Sequence, residues 1–163
     1  MLTKDVLTRF RALHEKRKHD GLGPEESSLY AAWRDDLYSA ILRAQRLALP
    51  PGQKPRQAVR VALVLKIQLA FAESRLATVT CDVGLGGFAA FVNGDFAEGS
   101  RCEFTLNVPG QALRGHARIV GCVRHGTGGV THRASFAFEP MPDDSQARLE
   151  IAVLDAALRS LTT

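Results

Sequence analysis

The stretch RQAVRVALVLKIQLAFAESRLATVTCDVGLGG, residues 56–87, decides how the rest of the chain is read. It opens with Arg56 and Arg60, whose spacing lets both face one side in an extended segment or a loose turn. From Val61 the pattern changes to period two. Val61, Leu63, Leu65, Ile67, Leu69 and Phe71 share one face and Lys66 and Gln68 take the other, as in a half-buried strand. A second β-rich run follows, with Ala77, Val79 and Cys81 expected as its inward face, and it ends at Asp82. Gly84, Gly86 and Gly87 come next, and are expected to free the backbone to turn and to approach a ligand closely. Two guanidiniums before one strand and a carboxylate with a glycine-rich turn after the next read as two halves of a ligand site.

The chemistry of those halves is complementary to an anionic purine. A guanidinium is a planar five-donor fork that captures phosphate oxygens, or the O6/N7 edge of guanine, in a bidentate way. Asp82 can accept from N–H groups, and guanine offers such donors at N1 and N2.

At these residues the chain resembles the PilZ family, whose cyclic di-GMP-binding members carry R-x-x-x-R followed, one strand later, by D/N-x-S-x-x-G. The match is Arg56, Arg60, Asp82 and Gly87, with Gly84 standing where the family has Ser. The resemblance runs over residues 54–142. It implies a cyclic di-GMP receptor module with ligand-binding residues Arg56, Arg60, Asp82, Gly84 and Gly87, and with no catalytic role. It further implies that the arginine segment wraps over a ligand lying on a barrel, so that binding orders the segment, moves the N-terminal helices and signals to a protein partner of unknown identity. The departure at Gly84 keeps a second reading open: a degenerate PilZ domain that works as a nucleotide-independent adaptor between proteins, as members tied to type IV pilus assembly do.

Outward from this stretch, residues 3–19 place Val6, Phe10 and Leu13 at the spacing of a short amphipathic helix that stops at Gly21 and Gly23. Pro24, Glu25 and Glu26 start a second helix running to about Leu49, since Pro is tolerated at the first helical position and carboxylates favour the positive end of the dipole. Its expected apolar stripe is Leu29, Trp33, Leu37, Ala40, Ala44 and Leu47, and Pro50-Pro51-Gly52 ends it. The stripe could seal a dimer, but amphipathic helices mostly bury such a face within their own chain. The basic run Lys16, Arg17, Lys18, His19 reads first as a solvated face.

Beyond residue 87, Phe88 to Val92 reads as a third strand closed by Asn93-Gly94. Cys102, Phe104, Leu106 and Val108 are the inward face of a fourth, Leu113 to Val123 a fifth, and Val130 to Phe138 a sixth after a glycine loop. Asp143, Asp144 and Ser145 are expected to cap a final helix whose Leu149, Val153, Leu154, Leu158 and Leu161 could plug a barrel mouth. The expected fold is mainly β with flanking helices: a six-stranded antiparallel PilZ-type β-barrel, a C-terminal helix and an N-terminal helical hairpin. The expected division is residues 1–50 for the hairpin, 51–60 for an arginine-bearing switch loop and 61–163 for the barrel with its helix.

Composition bounds the rest. In 163 residues, 45% hydrophobic content supports a real core, and the net charge of +4 favours anionic partners without separating a dinucleotide from DNA. Nucleic acid is disfavoured because Phe71, Phe88, Phe104 and Phe136 fall in core phase, leaving no exposed stacking platform. Cys81, Cys102 and Cys122 are odd in number with no C-x-x-C, which points to a reducing cytoplasm rather than a disulfide framework. His116, His125, His132 and Cys122 lack metal-ligand spacing, and Ser100 and Ser135 sit in no nucleophile elbow, so neither a metal nor an enzymatic activity is expected. No apolar run approaches the ~20 residues of a membrane span, and with Lys4 and Asp5 following Met1 and no apolar h-region a leader is not expected.

Overall fold

In the computed structural model, which describes residues 2–52, 58–125 and 131–161, the alternating run that begins near Val61 forms two strands rather than one. These are β1 (Arg60–Ala62) and β2 (Lys66–Ala70). Both pair antiparallel with the long β3 (Arg75–Gly84), but Ala62 lies opposite Asp82 while Lys66 lies opposite Val79. The β1–β2 side therefore carries one residue more between those pairs than β3 does, a bulge at residues 63–65. The hydroxyl of buried Thr80 fills the gap in the ladder, donating to the Leu63 carbonyl at 2.7 Å and accepting from the Leu65 N–H at 2.9 Å.

The remaining strands are β4 (Gly87–Val92), β5 (Arg101–Val108), β6 (Gln111–Arg124) and β7 (His132–Phe138). The order β3-β2-β5-β6-β7-β4 closes because β4 also pairs with β3, giving a six-stranded antiparallel barrel with β1 as a seventh strand on β3. Inside, Phe88 stacks on Phe136 at 4.6 Å between ring centroids and meets Phe104 edge-on at 6.0 Å. Each fully buried side chain of this size contributes roughly 1.5–3 kcal/mol. Phe71 differs from its expected core position: it is half-exposed and stacks on Phe96 at 4.3 Å beside the turn after β2.

One strand phase is corrected. The inward face of β3 is Leu76, Thr78 and Thr80, while Ala77 and Val79 are exposed. Pairing decides this against side-chain hydrophobicity, because Leu76 and Thr78 lie directly opposite the buried Leu69 and Ile67, and opposed residues share a face.

Helix α3 (Asp143–Ser160) packs against β1, β3 and β5 and buries Leu149, Val153, Leu154 and Leu158. Its N-cap is Pro142, which has no capping side chain, so Asp143 and Asp144 sit in the first turn and act on the dipole rather than as caps. Leu161 lies past the helix end and is exposed.

The chain divides into two compact units, Met1–Val59 and Arg60–Leu161. The first holds α1 (Lys4–His19) and α2 (Pro24–Leu47). The Thr3 hydroxyl accepts from the Val6 N–H at 3.2 Å to cap α1. Phe10 packs on Tyr30 and meets the edge of Trp33, and His14 Nδ1 lies 2.9 Å from the Tyr30 hydroxyl. The buried side of α2 is turned only part-way from the expected stripe: Tyr30 joins Leu37 in the core and Trp33 is half-buried, whereas Leu29, Ala40, Ala44 and Leu47 are exposed. The basic run at the end of α1 is engaged inside the hairpin. Lys16 donates to Glu26 at 2.7 Å, Lys18 donates to Glu15 at 3.0 Å, and the Arg17 guanidinium lies over the Tyr30 ring. Among the described residues no helix is long and apolar enough to cross a membrane.

Candidate functional site

Asp82 reaches the outside of the barrel only because β3 itself bulges against β4. Thr80 pairs with Ala90 but Asp82 pairs with Ala89, so Cys81 is an extra residue on β3. Strict alternation from the inward Thr80 would bury Asp82 in the core. The extra residue reverses the phase instead: Val83, opposite Phe88 and Val61, points in, and Asp82, opposite exposed Ala62, points out.

On this outer face two arginines meet the carboxylate from opposite directions. Arg60 on β1 donates through Nη1 to Asp82 Oδ1 at 3.0 Å, and Arg133 on β7 donates through Nη2 to Oδ2 at 2.5 Å. The side chains are 16% exposed for Arg60, 11% for Asp82 and 35% for Arg133, so solvent screens the trio only in part. Two guanidiniums against one carboxylate leave the patch positive, and such charge-assisted bonds are the strong ones.

Both arginines cross β4, and its small residues make the crossing possible. Arg133 lies opposite Phe91, whereas Asp82 lies opposite Ala89, so the Arg133 side chain passes over β4 at Ala89, which is outward-facing yet fully buried. Arg60 extends past Asp82 to the Phe136 carbonyl oxygen at 3.4 Å, over Gly87. A Cβ at Gly87 would overlap that oxygen and stand 3.0 Å from Arg60 Nη2. The glycine is needed for space rather than for turning: Gly84, Gly86 and Gly87 all have backbones outside the left-handed region, and Gly84 and Gly87 are strand residues.

Of the residues singled out by sequence, Arg60, Asp82, Gly84 and Gly87 thus lie on one outer face, with Arg60 directly opposite Gly84. Arg56 lies outside the described residues, as does Val130 at the expected start of the last strand. Arg133 is the residue that sequence reasoning missed. Nothing near it forms a motif, and only the β4–β7 register brings it to Asp82. The histidines are dispersed: His116 pairs with Glu103 on the outside of β5 and β6, and His125 packs on Phe91. Among the described residues no three His, Cys, Asp or Glu side chains gather as a metal site requires.

The family model described as PilZ domain matches residues 54–154. No curated protein matches the chain by sequence. Among solved structures, the PilZ domain of YcgR from Escherichia coli with cyclic di-GMP is similar at 19% identity and a TM-score of 0.56, over 67% of this chain and 96% of that one. The Bacillus subtilis inhibitor of motility, MotI, gives 18% identity and a TM-score of 0.56 over 70% of this chain and 57% of that one. MrkH of K. pneumonia in complex with cyclic di-GMP gives 14% identity and a TM-score of 0.58 over 68% and 56%. At these identities the likeness is one of fold, and the match spans little more than half the length of MotI and MrkH.

Proposed function

From the premise that this chain belongs to the PilZ domain family, we propose that it is a receptor for cyclic di-GMP and that its ligand lies on the outer face formed by β1, β3, β4 and β7. The observation that carries this reading is the convergence of Arg60 and Asp82 over Gly87, the residues that match the family's two motifs. Arg60 supplies a fork for phosphate or the guanine O6/N7 edge, Asp82 accepts from guanine N1–H and N2–H, and Gly87 leaves the space in which Arg60 reaches across β4. Arg56 is the second fork of the site. The YcgR domain and MrkH, both solved with cyclic di-GMP, support the ligand class. Binding signals rather than catalyses: the ligand draws residues 51–60 onto the barrel, the hairpin moves with them, and a protein partner in the cytoplasm reads the change.

Titration of the purified protein by calorimetry with cyclic di-GMP, beside GTP and single-stranded DNA, tests this. Selective binding of the cyclic dinucleotide is expected. Arg56→Ala and Arg60→Ala should each weaken it by about one to two decades, the worth of a charged hydrogen bond of ~1.5–3 kcal/mol. Binding unchanged in both variants overturns the site. The absence of any binding favours the adaptor reading, for which Gly84 in place of the family's Ser is the specific support.

A further inference from the structure

Asp82 is held at both oxygens by cations on opposite flanks, and only one of them belongs to the pair of motifs. We propose that Arg133 is a positioning residue for base recognition: it pins Oδ2 of Asp82 so that the carboxylate presents both oxygens to the N1–H and N2–H edge of a guanine.

A carboxylate bonded at one oxygen can still turn about χ2, whose energy surface is broad. Arg60 at Oδ1 would leave that freedom, whereas Arg133 at Oδ2, arriving across Ala89 from the other side, removes it. Each carboxylate oxygen can accept more than one hydrogen bond, so an arginine at an oxygen does not by itself bar a base from it. Ala89 is part of the device, because an outward side chain larger than a methyl at that position would stand in the path of the Arg133 side chain. Asp82 is mostly enclosed, so a carboxylate oriented in advance loses little freedom when the base arrives, which is how preorganisation raises specificity.

The inference rests on the receptor reading, and its test separates the two. The probes are cyclic di-GMP and cyclic di-IMP, which differ only in the 2-amino donor that Asp82 would read. The full chain is expected to prefer cyclic di-GMP by about tenfold or more, the worth of one hydrogen bond to a charged group. In Arg133→Gln that preference should fall to a few-fold. Arg133→Lys, a single point charge in place of a fork, should lie between. A role in stability alone would move both affinities together and leave their ratio unchanged. A ratio equal to the parent's in either folded variant therefore overturns the proposal while leaving the receptor reading intact, and if Arg133→Gln does not fold, Arg133→Lys decides. A parent that binds neither dinucleotide overturns the receptor reading, and this inference with it.

Discussion

The carbonyl oxygen of Phe136 stands over Gly87 where a side chain would begin. β4 and β7 can therefore pair here only if residue 87 carries no Cβ, and the space so left is the one Arg60 crosses on its way to the same oxygen.

Gly87→Ala should accordingly be costly, because the obstructing atom is backbone and cannot swing aside. Overpacking of this kind destabilises by about 1–3 kcal/mol, and displacement of Arg60 should weaken ligand binding as well. Gly86→Ala adds its methyl to open space at an ordinary backbone angle and should stay within ~0.5 kcal/mol of the parent. Urea denaturation of the two variants checks the contrast, and equal stabilities would contradict it.

Gly84→Ser restores the family's hydroxyl. The backbone of Gly84 is outside the left-handed region, so it admits a Cβ without torsional strain. One neutral hydrogen bond contributes ~0.5–1.5 kcal/mol, so cyclic di-GMP should bind a few-fold to about tenfold more tightly than in the parent. Calorimetry on both proteins measures the ratio. Binding that is undetectable in a well-folded serine variant would show that the missing hydroxyl is not what limits affinity.

Asp82→Ala leaves Arg60 and Arg133 facing each other without the carboxylate that both donate to. Loss of charged hydrogen bonds in this partly enclosed position should lower stability by about 1.5–3 kcal/mol and abolish discrimination for guanine. Adding Arg133→Gln to Asp82→Ala should cost less than the two changes made separately, which a double-mutant cycle reads directly.

Arg101 and Arg118 hold the Glu139 carboxyl below its ordinary value of 4.5, Arg101 acting first through its hydrogen bonds. A depressed carboxyl stabilises the folded state above its unfolded value and stops doing so as pH falls through the folded value. The melting temperature should therefore fall more steeply below pH 4.5 in the parent than in Glu139→Gln, and the difference between them should be largest above that pH. Parallel melting curves across the acid range would remove the pair from the account of stability.

Burial pushes the Cys102 thiol up to about 11, so almost none of it is thiolate at neutral pH. Cys81 and Cys122 are only half-buried. Iodoacetamide at pH 8 should label those two first and reach Cys102 only on unfolding, as mass mapping over time would show. Early labelling of Cys102 in the native protein would mean that β5 opens locally.

Local periodicity carried much of the fold. Strands β4, β5 and β6 were legible because alternation at Cys102, Phe104, Leu106 and Val108 is a property of consecutive residues, and the helices because Pro24 and the Pro50-Pro51-Gly52 stop mark their ends. The spacing of Arg60, Asp82 and Gly87 likewise singled out residues that the fold brings together. The tertiary structure alone decided four things: the phase of β3, the buried side of α2, the bulge at Cys81 that turns Asp82 outward, and the arrival of Arg133, which is 51 positions from Asp82. Each depends on which residue lies opposite in a neighbouring strand or helix. Register between distant segments is a choice made by the whole packed barrel or hairpin, and no window of consecutive residues contains it.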